Sequence, residues 1–199
     1  MKKVCAAAFA VAVTIAVQQP AQAHSDGLPS VPGNIQVPVG NKLFLSGHAI
    51  GSQNYICLPS GTAFAWTLFG PQATLFDDDD RQIITHFASI NPFDGAARPT
   101  WQHSRDTSSV WAQAIGIATD AAYVAPGAIP WLLLQSVGRQ QWPGAALSGT
   151  TYIQRLNTVG GVAPATGCAG AADVGKRAFV SYEADYVFYK ERGEDVDEE

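Results

Sequence analysis

Apolar positions along this chain come in short runs, and the runs are β-branched or aromatic. "KLFLSGHAIG" is followed by "QNYICL", "AFAWTLFG", "ATLFDD" and "RQIITHF", and after a loop by "SSVWAQAIGIAT", "AIPWLLLQSVG", "GTTYIQRLN" and "RAFVSYEADYVFYK", each bounded by Gly, Pro, Asn or Asp. Runs of that length recurring about every ten residues predict an all-β domain. Residues 110–122 come nearest to an apolar stripe of helical period, and even there it is partial. In the last run Ala178, Val180, Tyr182, Ala184, Tyr186 and Phe188 alternate with Arg177, Ser181, Glu183, Asp185 and Tyr189. That is the signature of a strand with one buried and one wet face. "IPWLLLQSV" is instead apolar at consecutive positions and belongs in the middle of the core, with Pro130 limiting it to an edge, a bulge or a strand start. A β-sandwich buries both patterns, and so does a sheet closed on itself. The expectation is therefore a single β-sandwich or barrel-like domain of roughly eight to ten short strands.

The first 23 residues follow a different logic. Lys2 and Lys3 precede an apolar run over residues 6–17, and a polar stretch then ends in Ala21-Gln22-Ala23. That order reads as a secretory signal peptide with a small-residue cleavage site. The run falls short of the roughly 20 residues a membrane-spanning helix needs, and no other stretch approaches that length, so no membrane span is expected. The chain divides into a signal at 1–23, a β domain at 24–190 and an acidic tail at 191–199, and its expected location is secreted or periplasmic. Export settles the cysteine count, because Cys5 leaves with the leader while Cys57 and Cys168 remain as an even pair. Two thiols in an oxidising compartment pair as a disulfide. Such a bridge closes a loop on the order of 100 residues, worth up to ~4.7 kcal/mol in the chain-entropy description.

Charge narrows the partners. Removing Lys2 and Lys3 with the leader takes the formal charge from −5 to −7, and the tail "ERGEDVDEE" carries −5 of that. The body is near neutral and offers no basic field for nucleic acid. The tail is expected to be a solubilising end.

Candidate chemistry is thin. The acid run at 77–80 reads first as an exposed hairpin turn. Asp77, Asp78 and Asp79 are also the candidate metal ligands, for calcium, since oxygen donors on a loop suit a hard cation. The run lacks the glycine and the distant glutamate of an EF-hand. His24, at the new amino terminus after cleavage, could chelate copper with a second imidazole, but its Ser, Asp and Gly neighbours suggest a loose end, so copper is disfavoured. His86 in "IITHF" and His103 in "PTWQHS" have polar and aromatic neighbours and read first as hydrogen-bonded structural histidines. H-E-x-x-H and G-x-S-x-G are absent, so no catalytic group is assigned. Trp66 and Trp131 lie in apolar segments and are expected in the core. Trp101, Trp111 and Trp142 have polar neighbours in Gln102, Gln113 and Gln141; core or loop-anchoring aromatics are the first reading for them, and an exposed platform on which a sugar can stack is the second. The expected ligand-binding set is Trp101, His103, Trp111 and His86. Arg155, the one charge in its strand, suggests an ion pair with Glu183 or Asp185.

The segments "VGNKLFLSGHAIGSQNYICLP", "FGPQATLFDDDDRQIITHF", "PTWQHSRDTSSVWAQA", "AIPWLLLQSVG", "TYIQRLNTVGGVAPATGC" and "YEADYVFYK", in this order, resemble the secreted family known as domain of unknown function 3455. The resemblance spans roughly residues 38–189 and implies no catalytic residue. One departure stands out: the family usually has glycine where Asp80 stands. Two readings follow. The first is a non-catalytic binding or cell-surface β domain whose partner is a small molecule or a glycan. The alternative is a secreted polysaccharide-active enzyme, hydrolytic or copper-dependent, which requires a converging His/Asp/Glu cluster in a concave site.

Overall fold

Eight antiparallel strands, joined in sequence order, close on themselves in a computed structural model that describes residues 27–142 and 144–193. Residues 1–30 form a unit apart, of which only the irregular stretch 27–30 is described; all else concerns the unit from Val31 onward. The signal segment, His24 and residues 194–199 of the tail lie outside the described residues. The strands are β1 (Asn41–Ser60), β2 (Ala63–Phe76), β3 (Gln82–Ile90), β4 (Ala97–His103), β5 (Ser109–Ala118), β6 (Trp131–Arg139), β7 (Thr150–Gly160) and β8 (Arg177–Glu191). The all-β expectation holds, and of its two forms the closed sheet is the one adopted. Residues 110–118, the nearest approach to a helix in the sequence, lie in β5. Glu191, the first residue of the expected tail, still pairs with Asn41 in the closing ladder.

Closure follows from β1, long enough to pair with β2 along one edge and β8 along the other, as in Ala49↔Leu75 and Ala49↔Ala184. Every second residue then points inward, so the alternation in β8 becomes the barrel wall, with Tyr182, Ala184, Tyr186 and Phe188 buried inside. Gly51 is required on the inner face of β1, because a Cβ there would overlap the backbone of Gln72 and Ala73. Charged side chains such as Lys42, His48, Arg177 and Glu183 stand on the outer surface, and apolar ones fill the interior. Among the described residues no helix is long and apolar enough to cross a membrane.

The consecutive apolar residues of β6 are explained by cover on both faces. Leu132 and Leu134 point inward; Leu133 points outward, on the same face as Gln154 and Val187. A single 3₁₀ turn, Gly33–Ile35, lies over that outer face. Ile35 is fully buried there, its carbonyl accepting from Gln154 Nε2 at 2.7 Å, while Asn34 Nδ2 donates to the Ile117 carbonyl at 2.6 Å.

One end of the barrel is solid. Leu75, Ile84, Trp101, Val110, Ile153 and Phe188 pack there with Leu147, which comes from the β6–β7 connection. Asp106 anchors that connection by accepting from the Ala146 amide at 2.6 Å, and Ser108 Oγ accepts from the Leu147 amide. Cys57 and Cys168 form the expected disulfide, tying the β7–β8 connection to β1 across a separation of 111 residues.

The β2–β3 turn is the acid run. Asp80 adopts a left-handed backbone, φ 57°, and hydrogen-bonds the Asp77 carbonyl. Glycine, usual in the resembling family, reaches that conformation without a Cβ penalty. Asp80→Gly is expected to stabilise the fold by about 0.5 kcal/mol, most of the conformational gain being offset by the more flexible unfolded chain. A urea midpoint equal to or below that of the parent protein would contradict this.

Candidate functional site

The end of the barrel opposite the solid core is hollow because its inner wall is built of small residues. Ala88, Ala112 and Ala114 line it from inward positions on β3 and β5. A cavity of about 620 Å³ results, floored by Trp101, His86 and Tyr186 and walled by Leu132, Leu134 and Arg155. Leu68, Phe69, Arg98 and Gln113 line its outer part. The opening follows from ladder geometry. β4 and β5 pair only at Thr100↔Trp111, Trp101↔Val110 and Gln102↔Ser109, so they splay beyond Thr100. Arg98 Nη1 spans the gap to Gln113 Oε1 at 3.2 Å, while its other nitrogens hold Asp94 Oδ2.

The floor is an aromatic stack. His86 lies parallel to Trp101 with ring centroids 4.2 Å apart, and the Tyr186 ring stands edge-on to both. His86 Nδ1 lies 2.8 Å from the Thr100 carbonyl, an acceptor only, so Nδ1 carries the proton and Nε2 is left as an acceptor. Burial pushes the His86 imidazole down to about 3, with Arg155 adding to the effect against the Thr100 hydrogen bond, so the ring is neutral at physiological pH. Burial also raises the Tyr55, Tyr182 and Tyr186 hydroxyls, with Arg155 opposing it at each, so they stay protonated.

Arg155 is thus the formal charge of this cluster. Its Nε and Nη2 donate to the Pro130 carbonyl at 3.2 and 2.8 Å. Among the described residues no carboxylate lies within ion-pair distance of it. The expected partners Glu183 and Asp185 occupy the outward parity of β8, whereas Arg155 faces inward opposite Tyr186. Asp185 instead binds His48 Nδ1 at 2.8 Å and Asn157 Nδ2 at 2.7 Å on the outside.

Two further donors go unused beside the cavity. Gln53 is 2% exposed and Trp101 fully buried, both line the cavity, and neither Gln53 Nε2 nor Trp101 Nε1 has a hydrogen-bond partner within the protein. A buried donor without a partner costs about 1–3 kcal/mol. Trp131 Nε1, Arg139 Nε and Thr150 Oγ1 are likewise unpartnered but lie outside the cavity lining.

Of the four residues expected to bind ligand, the structure brings His86 and Trp101 together here and places the others elsewhere. Trp101 is not a surface platform: it is buried and one face is taken by His86. His103, at the end of β4, holds Asp106 Oδ1 at 3.1 Å. Trp111 is on the outer face, donating to Ser89 Oγ at 2.8 Å and meeting the edge of Phe93. Trp66 is half-buried and donates to the Thr166 carbonyl beside the disulfide, Trp131 is buried, and Trp142 is exposed. Asp77, Asp78 and Asp79 form the exposed turn; Arg81 Nη2 bridges Asp77 and Asp79 at 2.9 and 2.8 Å, supplying the positive charge a cation would bring. Among the described residues no group of three or more His, Cys, Asp or Glu side chains converges as metal ligands would. Gln53, Arg155 and Tyr186 were not singled out as ligand groups by sequence, although each lies on the inward parity of a strand.

An up-and-down antiparallel barrel of eight strands, solid at one end and hollow at the other, defines the class by architecture. The chain belongs to the family described as Protein of unknown function (DUF3455), which matches residues 38–190, the whole circuit of strands but its last residue, Glu191. No curated protein matches the chain, and no solved structure matches it.

Proposed function

We propose that this is an exported binding protein that holds one small molecule in the hollow end of its barrel. The observation that carries the reading is the apolar cavity of about 620 Å³, two of whose lining residues, Gln53 and Trp101, carry buried donors without a partner in the protein. Buried polar groups are ordinarily satisfied, and orphaned ones in a concave site of this size mark a place for a ligand. Export is supported by the leader pattern and by the disulfide, which persists in oxidising compartments. The lining favours binding over glycoside hydrolysis, which uses two facing carboxylates, because its titratable side chains are His86, Tyr186, Arg98 and Arg155. Its apolar walls also favour a largely apolar molecule over a glycan.

The neutral fluorophore N-phenyl-1-naphthylamine tests this. Fluorescence enhancement that saturates is expected with the parent protein, and an about ten-fold weaker response is expected in Ala114→Trp, whose indole occupies the mouth. No saturable enhancement, or an Ala114→Trp variant that binds as well as the parent, contradicts the reading.

A further inference from the structure

Arg155 brings a positive charge that no carboxylate of the described chain offsets, although Glu183 and Asp185 lie on the adjoining strand. Gln53 Nε2 and Trp101 Nε1 add neutral donors that find no acceptor. Arg155 is half-buried and bonded to a carbonyl and not to a carboxylate, so its charge remains available to an anion entering the cavity. The remaining wall runs over apolar side chains from Leu132 and Leu134 to Pro71 and Pro99, with Arg98 and Gln113 bonded to each other in its outer part.

Resting on the binding reading above, we infer that the ligand is an apolar molecule bearing a single carboxylate, with that carboxylate against Arg155 and the neutral donors of Gln53 and Trp101, and its hydrocarbon body between the Leu and Pro walls. One guanidinium and two neutral donors match one negative charge and the lone pairs of two oxygens. A phosphate dianion would leave a charge uncompensated in the barrel. An alcohol of the same length would leave the guanidinium unpaired. Burial of a hydrocarbon chain supplies affinity in proportion to the area removed from water, and the charge-assisted hydrogen bonds supply selectivity.

Displacement of N-phenyl-1-naphthylamine by decanoate and by decanol, which share a chain and differ in the head group, tests the inference at neutral pH. Decanoate is expected to displace the probe at about ten-fold lower concentration than decanol, the factor a charged hydrogen bond supplies. Arg155→Met keeps the bulk and removes the charge, and it is expected to bring the ratio close to one while the probe still binds. Because Arg155 also supports the Pro130 carbonyl, Gln53→Leu provides a second variant that is expected to melt no lower than the parent, since it removes a partnerless buried amide, and yet to weaken decanoate more than decanol. Equal potency of the two displacers in the parent protein, or a ratio unchanged in both variants, overturns the carboxylate and leaves the cavity reading standing. Failure of the neutral probe itself to bind removes the cavity reading and this inference with it.

Discussion

Replacing Cys57 and Cys168 together by serine is expected to lower stability by about 4 kcal/mol, the loop-closure entropy returned to the unfolded chain when a bridge across 111 residues is lost. For a domain of this size that corresponds to a fall in melting temperature of roughly 10 °C. The bridge also has a local effect. It holds the β7–β8 connection against β1, where the Cys57 amide donates to the Lys176 carbonyl and the Gly175 amide to the Cys57 carbonyl. The same connection reaches the hollow end through Gly161, whose carbonyl accepts from the Tyr55 hydroxyl at 2.6 Å. The serine variant should therefore bind the naphthylamine probe more weakly as well. Guanidinium titrations with and without reductant provide the measurement, and a midpoint unmoved by reductant would show that the staple contributes nothing.

Acid is expected to have the second large effect. His86 takes a proton in the folded protein only near 3, because burial opposes its charge, whereas in the unfolded chain it takes one near 6.5. Its folded value is the lower one, so the contribution is fully present above 6.5 and declines as pH falls from there toward 3. The slope is up to ~1.4 kcal/mol per pH unit, or about 3 kcal/mol two units below the histidine midpoint. His86→Phe preserves an aromatic ring against Trp101 and removes the titration, so its melting temperature should be nearly flat over that interval. Asp106 acts in a lower window. Burial opposes its ionisation, but the Ala146 and Ser108 hydrogen bonds outweigh that and hold it at about 2 against an ordinary 3.8. Its contribution is present above 3.8 and lost as pH falls through about 2. Parallel pH–stability curves for the parent and His86→Phe between neutrality and about pH 4 would show that the buried imidazole is not the cause.

Much of this barrel was legible in the sequence, and the misreadings share a physical cause. Strand composition and spacing sufficed for an all-β domain, and the alternation in "RAFVSYEADYVFYK" assigned the inner row of β8 residue by residue. Closure was not readable, because it depends on pairing β1 with β8, partners separated by nearly the whole domain. Trp101 was given a second reading as an exposed platform because Gln102 adjoins it. On a strand, sequence neighbours face opposite sides, so the glutamine describes the outside and is silent about the indole. The same parity separates Arg155 from Glu183 and Asp185. The hollow end had a weaker signal: Ala88, Ala112 and Ala114 put small side chains at inward positions of β3 and β5. β6 looked like central core because a run of apolar residues does not reveal that a separate turn, carrying Ile35, covers its outer side.

The short ladder between β4 and β5 has a consequence for how a guest enters. Above Thr100 the two strands are joined across the gap by the Arg98–Gln113 hydrogen bond, beside a cavity that already lies behind it. Parting that clasp breaks one side-chain hydrogen bond and no backbone ladder. The width of that gap can therefore be altered at Arg98 and Gln113 without disturbing the hoop that keeps the cylinder shut.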